Sequence, residues 1–307
     1  MGLTADVRAY VRRHPRLHAR LRRVRASSSS TRERLGLTPP RAFALRCPDV
    51  EGGTRDVAVS ISPSLYVGKV LESTGLAAYE PEALACFLAI TDIVPDGPVW
   101  DVGCNIGVYS LIAATATRRE VVAFEPTPGI ADAARSIVEG NGLRGEVRQT
   151  ALGESPGVAR LFLSDSTDSS NSLRKSFRES TRSIDVAVET IDELVSAGLD
   201  APAVLKIDTE TTEPAVLRGG LRTIEATRPW IMCEVLAGRT ESELMSVLAP
   251  LGYTYYLVSD QPPYEPAEQL RGDPRFYMWV FAPEPAPAEL WARITAHRAV
   301  LDQCVPS

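Results

Sequence analysis

The stretch Val99-Trp100-Asp101-Val102-Gly103-Cys104-Asn105-Ile106-Gly107 decides how this chain is read. Val99 to Val102 is an apolar run of strand character, and the two glycines that follow lead into a helix expected over Val108 to Thr117. Small residues at such a turn let the backbone approach a ligand closely, and the open N–H groups of the helix start face that ligand. The spacing is G-x-N-x-G, not the G-x-G-x-x-G of a dinucleotide site, which speaks against nicotinamide chemistry. Eighteen positions after Gly107, Phe124-Glu125-Pro126 closes the next strand with a carboxylate suited to accept hydrogen bonds from both ribose hydroxyls of an adenosine ligand. Asp101, Gly103, Asn105, Gly107, Glu125 and Pro126 are therefore the candidate cofactor-binding residues, joined by Glu80 just ahead of the first core helix.

Outward from this stretch, strands and helices alternate. Strands are expected at Val99 to Val102, Val121 to Glu125, Glu146 to Thr150, Ala203 to Asp208, Trp230 to Val235, Thr254 to Val258 and Arg275 to Phe281. Helices are expected at Ala83 to Ile90, Val108 to Thr117, Ile130 to Glu139, Asp192 to Ala197 and Pro214 to Ala226. Continuous apolar strands between amphipathic helices imply a parallel sheet covered on both faces. The fold class is α/β, a Rossmann-like doubly wound sheet of seven strands, mostly parallel, with an antiparallel C-terminal hairpin. A basic amphipathic arm (1–37) and a small β lead-in (38–78) precede the main domain (79–283), and a C-terminal helix (284–307) follows it. The lead-in contains β-like runs at Ala42 to Arg46, Asp56 to Ser62 and Tyr66 to Leu71. Residues 158–190 break the rhythm and read as an insertion over the site edge, with two strand-like runs, Ala159 to Leu163 and Ile184 to Glu189.

The fourth core strand ends in Lys206-Ile207-Asp208-Thr209-Glu210-Thr211-Thr212-Glu213-Pro214, a concentration of carboxylates at the edge where open α/β sheets bind ligands. If the strand persists, alternation puts Lys206, Asp208 and Glu210 on one side. Glu213 with Pro214 also makes an ordinary helix start.

In order along the chain, DVGxNxG at Asp101 to Gly107, FEP at 124–126, a spaced Ala-Leu and Gly at Ala151 to Gly157, TxDxL at Thr190 to Leu194, the acidic segment Lys206 to Glu213 and Cys233-Glu234 resemble the FkbM-type class I methyltransferases. The resemblance covers roughly residues 79 to 240. It implies S-adenosylmethionine as cofactor and O-methylation of a hydroxyl on a sugar or secondary metabolite. Within it Glu125 resembles the ribose-binding acid, Asp101 the residue that orders either the loop or, through water, the cofactor amine, and Ala151 stands where the family places the residues flanking adenine. Two departures stand out: Cys104 where alanine is usual, and Thr211-Thr212 in place of the glycine and small residue of the acidic motif.

The only histidines, His14, His18 and His297, lie in terminal segments, so the base for a hydroxyl proton is expected to be a carboxylate, Asp208 or Glu210, tuned by Lys206. Asn171, Ser172 and Glu234 are expected to contact the acceptor. A divalent metal is not favoured; if one is present, Asp208, Glu210 and Glu234 are its oxygen donors. N-methylation of an amino sugar stays open beside O-methylation, and a nucleotide-sugar oxidoreductase or epimerase is a remote alternative.

Composition bounds the partners. The chain has 307 residues, 44% of them apolar, and a net charge of -6. Residues 1–34 hold ten arginines against Asp6 and Glu33, leaving roughly -14 for the rest. An acidic body disfavours a nucleic-acid substrate. The arm is a candidate for peripheral membrane or protein contact, although lysine occurs only at 69, 175 and 206, so arginine is general to the chain. Five scattered cysteines suggest neither disulfides nor zinc. With no long apolar segment, the cytoplasm is the expected location.

Overall fold

In the computed structural model, residues 39–164, 171–174 and 182–306 are described. The expected basic arm lies outside them. The chain begins with a hairpin, β1 (Arg41–Pro48) and β2 (Thr54–Ile61), followed by helix α1 (Tyr66–Thr74). The third lead-in run, Tyr66 to Leu71, is thus helical, contrary to its β-like composition. Val67 and Leu71, four apart, bury one face, and Gly68 lets the helix sit on Ile61, whose Cδ1 lies 1.8 Å from where a Cβ would stand.

The core follows as α2 (Pro81–Ile93), β3 (Val99–Val102), α3 (Val108–Ala116), β4 (Val121–Phe124), α4 (Pro128–Gly140) and β5 (Gly145–Arg148). After the inserted strands β6 (Ala151–Leu152), β7 (Gly157–Leu163) and β8 (Arg182–Glu189) come α5 (Ile191–Ser196), β9 (Val204–Ile207), α6 (Glu213–Arg218), α7 (Leu221–Thr227) and β10 (Trp230–Glu234). The chain closes with α8 (Glu241–Leu248), β11 (Thr254–Leu257), β12 (Pro266–Ala267), β13 (Met278–Ala282) and α9 (Ala288–Leu301).

The main sheet runs β12-β11-β13-β10-β9-β3-β4-β5. Its seven expected strands are joined at one edge by the two-residue β12, which pairs antiparallel with β11. Strands β10, β9, β3, β4 and β5 are parallel, and β13 is antiparallel to both β10 and β11. From β3 the chain builds outward through β4 and β5 and then returns to lay β9 against the other side of β3. That reversal opens a crevice at the carboxyl ends of β3 and β9.

Alternation divides the sheet's side chains into two cores. Val99, Val121, Val204, Met232 and Val280 pack with α2, α3 and α9. Trp100, Val102, Phe124, Leu205, Ile207, Ile231 and Phe281 pack with α5 to α8. The helix expected over Pro214 to Ala226 is two helices, because Gly219 and Gly220 interrupt it. A Cβ at Gly219 would stand 1.9 Å from the Gly153 carbonyl oxygen, so the break lets the chain pass the insertion closely. The insertion's strand runs pair antiparallel, and with β6 they form a separate three-stranded sheet, β6-β8-β7.

Candidate active site

A cavity of about 890 Å³ opens at the carboxyl edge of the sheet. Of the expected cofactor and catalytic residues, Gly103, Asn105, Glu125, Pro126, Ala151, Glu80, Asp208 and Glu210 line it, as do Asn171, Ser172 and Glu234. Asp101, Gly107 and Lys206 stand behind that lining, in supporting positions.

On one side lies the glycine turn. Gly103 has φ 76°, and a Cβ there would stand 1.9 Å from the carbonyl oxygen of Asp208, so only glycine lets the β3 turn touch the end of β9. Gly107, at φ 81°, caps the start of α3. Asp101 is fully buried; its Oδ2 accepts from the Ser110 amide (3.1 Å) and from the Ser110 hydroxyl (2.7 Å), which pins α3 to the strand. Glu125 accepts from the Asn105 amide (3.2 Å) and the Thr127 amide (2.8 Å). A carboxylate offers about four lone-pair sites, so these bonds leave capacity for a ligand's hydroxyls. Burial pushes the Glu125 carboxyl up, against the lowering by its backbone donors.

On the other side lies the acidic turn. Strand β9 stops at Ile207, so Glu210 is not carried on it as the alternation required. Glu210 (φ 56°) and Thr211 (φ 90°) instead fold the chain through the left-handed region, which a β-branched residue adopts only under strain. The fully buried Glu213 holds this turn: its Oε1 accepts from the Thr209 amide (2.9 Å), the Thr209 hydroxyl (3.1 Å) and the Thr211 amide (3.1 Å). Its sequence reading as a plain helix-start acid misses this latch. From the insertion, the Ser172 hydroxyl donates to the Glu210 carbonyl (2.6 Å), so Ser172 braces the turn as well as lining the cavity. Asn171 donates to the Thr127 hydroxyl (3.3 Å) and accepts from the Ser164 amide (2.9 Å).

One ammonium joins the two sides. Lys206 Nζ lies 3.3 Å from Asp101 Oδ1 and 3.6 Å from Asp208 Oδ2, and donates to the Gly103 carbonyl (3.4 Å). Burial lowers its pKa, but Asp101, then Asp208 and Glu80, outweigh burial and raise it, so it stays charged. It also sits 4.8 Å from the centre of the Tyr109 ring.

Two tyrosines with no sequence signal support the wall, Tyr277 on the lining and Tyr109 behind it. Glu80, at φ 46°, accepts from Tyr109 (3.1 Å) and Tyr277 (2.7 Å). Burial and then Asp208 push its carboxyl up. Glu234 is buried at the end of β10, and burial followed by Asp208, Glu210, Glu213 and Glu80 raises its pKa well above the ordinary carboxyl range. Arg239 and Arg275 bring cationic side chains to the same lining. Among the described residues no group of three acidic, histidine or cysteine side chains is placed to hold a metal ion, so Asp208, Glu210 and Glu234 share a cavity without forming such a set. Among the described residues, too, no helix is long and apolar enough to cross a membrane.

Comparison with known proteins gives a match of residues 101–255 to the methyltransferase FkbM domain. Hexuronic acid methyltransferase AglP of Haloferax volcanii is 29% identical over 165 residues, which are 53% of this chain and 65% of that protein. The chain thus spans just under two thirds of the length of this curated relative. Among solved structures, methyltransferase FkbM from Methylobacillus flagellatus superposes with a TM-score of 0.41 at 17% identity, covering 61% of this chain and 43% of that one. An O-methyltransferase from Bacillus cereus gives a TM-score of 0.38 at 12% identity, covering 66% and 79%.

Proposed function

The chain belongs to the FkbM methyltransferase domain family, and from that premise we propose that it methylates a hydroxyl of a sugar or sugar-bearing metabolite, using S-adenosylmethionine. The single observation that carries this reading is the Lys206 bridge, since one buried ammonium ties the glycine turn to the carboxylate that faces the same cavity.

When bound, S-adenosylmethionine supplies an electrophilic methyl group. The residues that would hold it are Glu125 at the ribose, Gly103 and Asn105 along the turn, and Pro126 and Ala151 beside them, all on the cavity wall. Glu125 fits this role because its carboxylate is already aligned by two backbone donors and retains acceptor sites. Asp101 keeps the turn in place from behind.

The remaining steps belong to the chain. Asp208, oriented by Lys206, takes up the proton that the acceptor hydroxyl gives up on methylation; the bond broken would be the sulfonium carbon–sulfur bond, with S-adenosylhomocysteine as the leaving product. Base assistance of this kind contributes typically ~10² to 10⁴ in rate, and holding the hydroxyl in line supplies a further share. Glu210 stands as the second carboxylate, and Glu234 with Asn171 reaches the acceptor. A sugar acceptor is supported by a lining rich in oxygen groups that pair with hydroxyls. AglP, by its name, acts on a hexuronic acid.

Two measurements test the reading. Calorimetric titration should show binding of S-adenosylhomocysteine and none of NAD. Radiolabelled methyl from S-adenosylmethionine should pass to members of a panel of hexose and hexuronic acid glycosides. Refusal of S-adenosylhomocysteine at high concentration ends the proposal, and transfer only to amino sugars moves it to N-methylation.

A further inference from the structure

Glu234 is the one carboxyl of the cavity whose surroundings call for something the chain does not supply. It ends β10, and the pairing of Met232 with Lys206 and of Cys233 with Ile207 brings it to the end of β9, next to the turn that begins at Asp208. On its other side it pairs with Met278 of β13. It is 7% exposed, and its Oε2 is buried with no hydrogen-bond partner among the described residues. No cation pairs with it there.

The groups that weigh on it most are carboxyls, although Arg239 and Arg275 also stand on the cavity lining. Asp208, Glu210 and Glu213 come from the β9 turn, and Glu80 comes from the start of α2. Tyr277, at the start of β13, senses the Glu234 charge but gives its hydroxyl to Glu80. Lys206, the nearest ammonium on the adjacent strand, is taken by Asp101, Asp208 and the Gly103 carbonyl. A buried carboxyl that faces like charges and lacks a counterion keeps its proton. In that form it is a donor as well as an acceptor.

We propose that Glu234 acts as an uncharged carboxylic acid that donates a hydrogen bond to a second oxygen of the acceptor, beside the hydroxyl whose proton Asp208 takes. This rests on the methyl-transfer reading above and narrows its substrate class. The acceptor carries oxygens on neighbouring carbons, as a sugar or polyol does and an isolated alcohol or phenol does not. Glu234 becomes a specificity-determining residue, distinct from the base next to it.

Infrared difference spectra of the full chain, wild type against Glu234→Gln at neutral pH, read the proton directly. The expected result is loss of a protonated-carboxyl carbonyl band, and loss of carboxylate bands instead overturns the proposal. Methyl transfer to the glycoside panel gives the second readout. Glu234→Gln, which keeps a donor and an acceptor, should stay within about threefold of wild type. Glu234→Ala should lose about 10- to 100-fold in kcat/KM, mostly through KM, the usual range for one hydrogen bond to a polar or charged partner. The deoxy acceptor that lacks the neighbouring hydroxyl should lose a like factor with wild type and nothing further with Glu234→Ala. Equal damage from Gln and Ala overturns the proposal. Failure of wild type to bind S-adenosylhomocysteine or to methylate any glycoside would instead sink the functional reading, and the infrared result would stand by itself.

Discussion

The two walls of the cavity are built by opposite means. The glycine turn puts Gly103 and Gly107 at positive φ, with Asn105 (φ 52°), a residue type that tolerates that region, between them, and Gly103 meets the Asp208 carbonyl with no side chain between. The acidic turn passes through the same region of backbone space with Glu210 and Thr211, and it is kept there by a side chain from below, Glu213, and by Ser172 from the insertion. The first wall is set by local backbone preference, whereas the second is set by tertiary hydrogen bonds that overrule it. A site of this kind tolerates change unequally. Substitutions in the second wall alter geometry before they alter composition.

Several substitutions would break or sharpen this contrast. The largest effect is expected for Asp208→Asn, which should lower methyl-transfer turnover about 10² to 10⁴-fold while leaving S-adenosylhomocysteine affinity unchanged in calorimetry. Glu125→Ala acts on the opposite wall and should weaken that affinity about 10- to 100-fold, since it removes a charged acceptor. Glu213→Ala leaves the Thr209 and Thr211 donors without their acceptor and should cost about 1 to 3 kcal/mol in denaturant unfolding, with turnover falling more than cofactor affinity. Thr211→Gly should have the reverse sign, stabilising the fold by up to about 1 kcal/mol as the strain at φ 90° is released.

The smallest effect is one of pH. Glu80, Glu125, Glu213 and Glu234 have carboxyls raised by burial. In the unfolded chain they titrate near about pH 4.3. Between that value and their raised folded values the unfolded state binds fewer protons, so stability falls as pH rises. Asp192 and Glu243 are lowered by hydrogen bonds to Thr223 and Arg174, and their contribution is lost as pH falls below the ordinary carboxylate range. The melting temperature should therefore be highest in mildly acid solution and decline as pH rises from there. Glu234→Gln should flatten that decline.

Much of the fold is legible in the sequence because a strand buried on both sides writes a continuous apolar run, as at Val121 to Phe124, and the glycine turn sits where such a run ends. The Tyr66 to Thr74 helix was not legible, since Tyr66, Val67 and Val70 have strand composition and only burial against Ile61 fixes the helical period. Spacing from a glycine and a strand end points to Asp101 and Glu125. The partnership of Glu80 with Tyr109 and Tyr277 joins residues 29 and 197 positions apart, and no local pattern encodes it. The side of Glu210 is not legible for a related reason: alternation places it only while the backbone stays extended, and the strand ends three residues earlier.

Helix α2 has a practical consequence. It precedes the segment that matches the family, and α9 follows it, yet nearly every side chain of α2 from Ala83 to Ile90 is buried, and the two helices share one apolar core with the sheet. His297 and Arg293 of α9 clasp Asp92 at the end of α2 at 2.7 and 3.1 Å. Trimming the chain to residues 101–255 would remove α2 and α9 and leave α3 alone to cover much of that sheet face, and such a fragment should aggregate rather than report on catalysis. Helices α2 and α9 together serve as a roof over the central sheet.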